Sequence, residues 1–485
     1  MDAEKSTGDV ALTVLNAPPQ KIAIIGAGFT GVALAAALHR SADQPLEIFM
    51  FEKSGLFGAG DAYRTPYSWH LLNARACDMS AIEDDPDHFV HWLESHAATY
   101  LDNHIPHGRQ FVPRVLYHQY LCSLMAAIFQ DECKRVHLEL IPEEVMDVEA
   151  ESCGVKVTLK NEESLIVDKV IFAYGNNPPA PLPISLSPAI QCFNNPWEYT
   201  ALKNIPNKDP VLIVGTGLSM VDAVLTLHHL HHQGKIYVLS RRGMLPLPHT
   251  DNSHACAFDA LALPHNLRAM VKVIRHDAKK LMAQGGDWRA IIHQIRLHLP
   301  AIWRRMNTTC KKRFLRHVLP YWNSHRHRVH EKIDDLLVKL RNEGQLIVMA
   351  GKLISTDNQQ ATIRLRHALT THDINVKQVI NCIGSSHDIN EREQPLLGVL
   401  KQRGNIDLDE LQLGLIANED FSLKNAAGDV LPGCYALGPP LRGEVWESVA
   451  VPEIRKQCHV LAALLLSESK QSHAAQQFPQ TKHRK

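Results

Sequence analysis

At 485 residues the chain is too long for one ordinary core, so two or three domains are expected. Its 51 Lys/Arg balance 51 Asp/Glu and 45% of its residues are hydrophobic, a globular composition with no whole-chain signature of nucleic acid or membrane. The ten cysteines are scattered and no two form CxxC, which argues against a redox-active dithiol and a structural zinc site and fits a reducing, cytoplasmic compartment. No apolar run reaches the roughly 18 residues of a membrane span. The first twenty residues lack the basic and apolar regions of a secretory signal. Both ends, 1–19 and 467–485, are polar and expected to be frayed.

The first organised stretch is Lys21–Lys53. An apolar run, Ile22–Ile25, meets Gly26-x-Gly28-x-x-Gly31. An Ala/Leu-rich helical pattern follows, then a second apolar run, Leu46–Phe51, ending in Glu52. Strand, glycine turn, helix, strand and acid in that order are what a dinucleotide needs. Gly26 permits the tight turn and Gly28 lets the backbone approach a pyrophosphate. Gly31 lets the helix pack close to the strand, and Glu52 can accept from ribose hydroxyls. Two strand-like segments, around 136–149 and 154–159, suggest a hairpin or meander beside this unit. Asp168–Gly175 is a short buried strand ending in glycine, and the proline-dense stretch 178–210 marks a linker.

A second unit follows. Val211–Val214 is an apolar strand, Gly215-Thr-Gly217-Leu-Ser219-Met220 the turn, Val221–His232 a helix and Lys235–Ser240 the next strand. Met220 replaces the third glycine, so helix and strand must pack differently here. The second strand ends not in an acid but in Arg241-Arg242, whose guanidinium groups suit a 2′-phosphate and favour NADPH over NADH. Residues 251–343 are mainly helical, an insertion. Its segment Trp288–His330 carries ten Lys/Arg and six His with no acid. Either acids elsewhere neutralise that charge, or it meets something anionic: NADPH phosphates, an acidic substrate or an acidic protein. No nucleic-acid-binding motif accompanies it. The run HHLHH at 228–232 sits at a helix end, where histidine is tolerated, and gives no metal-ligand set. Val376–Gly384 repeats the strand-then-glycine pattern of 168–175. Leu431–Gly438 is a third such strand, followed by a helix from Pro452 to Leu466.

Taken together, residues 20–466 resemble flavoproteins with two dinucleotide-binding domains, in which an FAD domain is interrupted by an NAD(P) domain. The resemblance rests on Gly26–Gly31 with Glu52, on DKVIFAYG, on Gly215–Met220, on VINCIG and on CYALG. The segments HLLNARACDMS, VGTGLSMVD, LSRRGMLP, FLRHVLPYWNSHRHR and GEVWESVAVPEIRKQ narrow it to bacterial FAD/NAD(P)-binding proteins related to flavin-dependent monooxygenases. It implies an α/β fold of two Rossmann-like domains with a helical insertion. The FAD-binding domain would comprise 20–205 and 385–466, and the NAD(P)-binding domain 209–384. FAD would meet Gly26, Gly28, Gly31 and Glu52, with Lys53 near the adenosine, the backbone near Val145 at the adenine and Gly438 near the ribityl chain. Asn73 and Arg114 would lie near the isoalloxazine or the nicotinamide channel. Gly175 and Gly384, at the ends of the crossover strands, join the cofactor-facing set, as do Gly215, Gly217, Ser219, Arg241 and Arg242. Pro439 departs from the pattern, because many such proteins have Asp after the late glycine and proline offers neither carboxylate nor N–H.

The implied activity is an FAD-dependent, NADPH-linked oxidoreductase, a monooxygenase acting on a small molecule. Two alternatives stand beside it: a reductase passing electrons to a protein or quinone, and a non-catalytic nucleotide-binding sensor. Glu447, beside Trp446, is the candidate proton carrier, since a carboxylate against an indole in an apolar setting has a raised pKa. His70 is a weaker candidate with a more ordinary structural role.

Overall fold

The computed structural model describes residues 18–131, 135–250, 256–368, 370–386 and 395–477. Of the ends expected to be frayed, 1–19 and 467–485, residues 1–17 and 478–485 lie outside the described ones, whereas 467–477 is helical. In chain order the strands are β1 (Gln20–Ile25), β2 (Leu46–Phe51), β3 (Val136–Ile141), β4 (Val145–Glu151), β5 (Gly154–Leu159), β6 (Ser164–Val167), β7 (Lys169–Phe172), β8 (Gln191–Phe193), β9 (Val211–Val214), β10 (Ile236–Ser240), β11 (Leu346–Asp357), β12 (Gln360–Leu365), β13 (Thr371–Asn375), β14 (Gln378–Asn381), β15 (Ser422–Lys424) and β16 (Val430–Ala436). The helices that position the site are α1 (Phe29–Ser41), α2 (Arg114–Phe129), α3 (Leu218–His229) and α4 (Val451–Gln477).

Two sheets organise the molecule. The first has the order β15-β16-β7-β1-β2-β3, parallel except for its edge strand β15. The second has the order β13-β12-β11-β10-β9-β14-β8. Its β11-β10-β9-β14-β8 portion is parallel, and from Gly351 on β11 pairs antiparallel with β12, with an irregularity at Leu353/Ser355 within that pairing. Strands β4–β6 form a small antiparallel sheet of their own. Segment 136–141, expected in a hairpin, is instead the parallel edge of the first sheet. Its alternating buried and exposed residues suit an edge strand with one face on the core.

Both glycine turns sit where a parallel strand feeds a helix. β1 and β9 are buried along almost their whole length, as central strands of a sheet covered on both faces must be. Helix α1 is apolar nearly all round because it lies in one core with α4 on its far side, and its run of alanines lets both neighbours approach. Helix α4 continues past Leu466, where the apolar pattern ends, to Gln477. Glu468 anchors the extension by accepting from Lys169 Nζ of β7 at 2.5 Å.

Three boundaries differ from expectation. The proline-dense linker contains β8, which adds to the second sheet beside β14. Helix Glu331–Asn342, expected within the basic insertion, packs Leu337 and Leu340 into the core of the second sheet and leads into β11, so it is the crossover helix of that unit. The remaining insertion helices, Leu267–Ala283, Arg289–Leu297, Leu299–Arg305, Thr308–Arg313 and Leu319–Arg326, gather round a separate core of Ile291, Ile295, Ile302, Trp303 and Trp322. That core is completed by Leu413 and Trp446 from the returning C-terminal segment.

Candidate functional site

The first glycine turn is built to a tolerance that excludes side chains. Gly26 has φ +106°, and a Cβ there would lie 2.5 Å from the Ala173 carbonyl oxygen. A Cβ on Gly31 would lie 2.2 Å from the Gly26 carbonyl oxygen, so α1 can press on β1 only because this residue has no side chain. Gly28 is the N-cap of α1 and faces Gly60 across the turn, where its Cβ would be 3.5 Å from the Gly60 Cα. The first-turn N–H groups of α1 have no acceptor four residues back and carry the positive end of the helix dipole. A side chain at Gly26 or Gly31 would not fit this turn, and the exposed helix N-terminus it leads into is the geometry an anionic diphosphate requires.

Beside it opens a cleft lined by Gly26, Glu52, Lys53, Val145, Tyr174 and Leu397 among others. Glu52 is positioned from within the turn. Its Oε2 accepts the Ala27 N–H at 3.3 Å, and its Oε1 accepts the Ser54 N–H at 3.0 Å and hydroxyl at 2.7 Å. Lys53 Nζ lies 3.6 Å from Glu144 on the same rim. Val145 is buried at the start of β4. A second recess brings Gly175 together with Ser385, next to Gly384, and with Pro439 and Arg442, next to Gly438. Gly438 has φ +73°, a Cβ there would meet Thr30 Oγ1 at 2.7 Å, and its N–H donates to Gln457 Oε1 at 3.0 Å.

The second turn repeats the first in part. Gly215 has φ +121°, and its Cβ would lie 2.0 Å from the Cys382 carbonyl oxygen; Gly217 caps α3 with open space before it, and Ser219 lies in the first turn. Met220 is fully buried in one core with Val221, Val224 and Ile213, so helix and strand here accommodate a side chain where the contact at Gly31 admits none. Of the two arginines, Arg242 is engaged. It donates to Tyr321 Oη at 3.1 Å and to the His317 carbonyl at 3.3 Å, and its guanidinium lies 4.9 Å from the Tyr321 ring centre. Arg241 is exposed, with no hydrogen-bond or ion-pair partner among the described residues.

The two units are joined by buried polar contacts. Arg114, at the start of α2, makes a bidentate pair with Asp222 of α3 at 2.7 and 3.2 Å and also donates to the Leu71 carbonyl. This guanidinium, expected beside the flavin or nicotinamide, is committed to the joint. His70 Nδ1 pairs with Thr65 Oγ1 at 2.6 Å and its Nε2 with Thr226 Oγ1 at 3.0 Å. Burial lowers its pKa to about 4, so the ring is neutral and structural. Trp69 lies between Tyr67 and His229, with ring centres 4.4 and 4.3 Å away. Asn73 is exposed, and its carbonyl pairs with His249 Nε2 at 3.0 Å.

Glu447 requires a correction. It is buried, but its Oε2 accepts from Arg326 at 3.0 Å and its Oε1 from the Trp322 indole at 3.4 Å. Burial pushes its pKa up; Arg326, His327, Arg296 and the Trp322 N–H together outweigh this and hold it below the ordinary value. Trp446 instead stacks on Trp303 at 4.6 Å. Glu447 is therefore an ionised counter-ion rather than a proton carrier. Other insertion cations are neutralised in the same way, Arg296 by Glu453 and Arg304 by Glu419. No motif marks Asp222, and its signal in the sequence is a lone acid inside the apolar helical run MVDAVLTL, the pattern of a buried ion pair. The nine described cysteines are free thiols; among the described residues no group could hold a metal, and no helix is long and apolar enough to cross a membrane.

Residues 23–177 match the family described as FAD-NAD(P)-binding. No curated protein matches in sequence. Among solved structures, the ornithine N-hydroxylase of Kutzneria sp. 744 is similar at a TM-score of 0.64 and 14% identity, covering 93% of this chain and 100% of that one. The reduced ornithine hydroxylase of Pseudomonas aeruginosa is similar at 0.62 and 15%, again over 93% and 100%. The L-lysine 6-monooxygenase of Pseudomonas syringae is similar at 0.61 and 14%, over 92% and 99%. Residues 23–177 thus form an FAD-NAD(P)-binding domain, and the chain as a whole has the two-domain fold that these monooxygenases share.

Proposed function

We propose that this protein is an FAD-dependent, NADPH-linked oxidoreductase that acts as a monooxygenase on a small molecule. The observation that carries this reading is the pair of tight glycine turns, one on each sheet, with no room for a Cβ at Gly26 or Gly215, joined by a buried bidentate ion pair within the fold of the hydroxylases. Residues 20–205 with 385–466 are the FAD-binding part and 209–384 the NAD(P)-binding part, with β8 and the crossover helix assigned to the second.

The residues present fit the cofactors. FAD would lie with its diphosphate at Gly26, Gly28 and Gly31 and its adenosine in the cleft of Glu52, Lys53 and Val145. Its ribityl chain would lie near Gly175 and Gly438 and its ring system towards Asn73. NADPH would lie across Gly215, Gly217 and Ser219 with Arg241 at the 2′-phosphate and Gly384 nearby. FAD, when bound, supplies the redox chemistry with hydride from NADPH. The chain supplies the rest. The N-termini of α1 and α3 offer N–H groups to phosphate oxygens. Arg114 and Asp222 fix the angle between the units. The insertion, bonded from Trp303 Nε1 to the Gly443 carbonyl at 2.8 Å, covers the segment after Gly438 and keeps water from it.

Anaerobic titration of the FAD-loaded protein with NADPH tests this reading. Loss of the oxidised-flavin absorbance is expected, and its persistence at saturating NADPH would sink the proposal. One observation favours a second reading, a reductase serving an acidic protein: Lys312, Arg313 and Arg316 are exposed together on the insertion, a surface able to steer an anionic partner. Rapid reduction of an acidic electron carrier without any oxygenated product separates it from the first.

A further inference from the structure

The insertion is tied to both units at one junction. His249 N–H donates to the Val329 carbonyl at 2.9 Å, Val329 N–H donates to the Leu247 carbonyl at 3.0 Å, and the His249 ring meets the Asn73 carbonyl. Arg328 lies in this strap, and cations surround it. Arg289 is matched by Asp287, which also accepts from Thr250 Oγ1, and Arg326 is matched by Glu447. Arg75 donates to the carbonyls of Arg109 and Thr250 and lies over the Phe111 ring. Arg328 differs. Its Nε and Nη1 are buried and bonded to nothing. Burial, with Arg289 and Arg326 close by, lowers its pKa to about 10, so it remains charged at neutral pH. A buried cation left unbonded is costly and persists where something else satisfies it.

We propose that Arg328 is the seat for a carboxylate on the substrate, at the junction of the two nucleotide units and the insertion. Arg289 and Arg326 have acids in contact and Arg75 has carbonyl partners, which leaves Arg328 as the guanidinium of this cluster with buried N–H groups still to be satisfied, and a carboxylate is the acceptor that suits them. The strap ends on Asn73, so a molecule held here reaches towards the flavin side of the first unit. The inference rests on the monooxygenase reading, since it names the substrate of that site. Its chemistry is distinct from the nucleotide phosphates, for which Arg241 and the two glycine turns are already placed.

The test uses the full-length protein loaded with FAD. Acetate, glutarate and benzoate serve as carboxylate probes, with their amides as controls, read by thermal shift. NADP+ affinity is measured in parallel. At least one carboxylate should raise the Tm while its amide does not, and Arg328→Met should weaken that response about tenfold. Affinity for FAD and NADP+ should be unchanged. The ligand-free Arg328→Met protein should melt no lower than the wild type, because the substitution removes an unbonded buried charge; a merely structural arginine would show the opposite. Arg328→Lys should keep part of the response and serves where Arg328→Met does not fold. A carboxylate response of wild-type strength in Arg328→Met, no response to any of the three carboxylates in the wild type, or a fall in NADP+ affinity with the substitution overturns the proposal. None of these readouts requires electron transfer. Failure of flavin reduction by NADPH would therefore strike the parent reading and leave the carboxylate result to stand or fall by itself.

Discussion

The two glycine turns begin alike and end differently. At Gly26 and at Gly215 a Cβ would run into a carbonyl oxygen of the neighbouring crossover segment, Ala173 in one case and Cys382 in the other. Both positions combine positive φ with no space, so the turn geometry is shared. At the third position the units part: Gly31 brings α1 onto β1, whereas Met220 fills a core between α3 and its sheet. The lesson is that the tight turn at the first glycine is kept when the third glycine is lost, so the third position sets only the spacing of helix and strand. The ends of the second strands differ as well. Glu52 is oriented by its own turn, and Arg241 is left open to a ligand.

Exchanging the third residues is the strongest way to break this comparison. Gly31→Met should abolish FAD retention or folding, because its Cβ would overlap the Gly26 carbonyl; expression with bound-flavin quantitation checks it. Met220→Gly should instead leave a folded protein destabilised by about 3–5 kcal/mol, from the cavity and a helical glycine, measured by denaturant unfolding. Equal outcomes for the two would show that the third position has the same role in both.

The joint gives the next largest effect. Arg114→Ala leaves Asp222 buried without its charge partner and should cost about 3–5 kcal/mol, read from the urea midpoint. A loss below about 1 kcal/mol would mean that the units are held by the aromatic contacts around Trp69 instead.

Acid should weaken the same joint. The folded-state pKa of His70, about 4, lies below the ordinary 6.5. Its neutral form therefore contributes stability that is fully present above pH 6.5 and is lost as the pH falls towards 4. The loss is about 3 kcal/mol. His70→Gln should flatten that part of the profile in pH-dependent thermal melts.

The smallest effects discriminate between the two arginines. Arg241→Ala should raise the KM for NADPH about tenfold with little change for NADH. Arg242→Ala should change it less than twofold, since Arg242 is tied to Tyr321 and His317. The ratio of the NADPH and NADH constants in the two variants decides which guanidinium faces the nucleotide.

Much of this architecture was legible in local pattern. The strand–glycine–helix periods of both units, the crossover strands ending at Gly175 and Gly384, and the helical character of the insertion each depend on neighbours a few residues apart. What was not legible depends on residues far apart in the chain. The Arg114–Asp222 pair spans 108 positions, and β8 becomes a strand only because β14 offers an edge. Glu447 differs from expectation for the same reason: Trp446 is its neighbour in sequence, while Arg326 and Trp322 reach it only through the folding of the insertion. Helix Glu331–Asn342 follows the basic stretch without a break in composition, and only the placing of Leu337 and Leu340 assigns it to the second sheet.

The insertion's core borrows Leu413 and Trp446 from the far end of the chain. A ribosome that has completed residues 256–330 has therefore made a bundle still missing part of its interior, which arrives only when the last quarter of the chain is synthesised. The insertion and the 410–450 segment should then protect their amides in a single step during refolding, later than the glycine turn of the first unit, and open together as one cooperative unit in native-state hydrogen exchange.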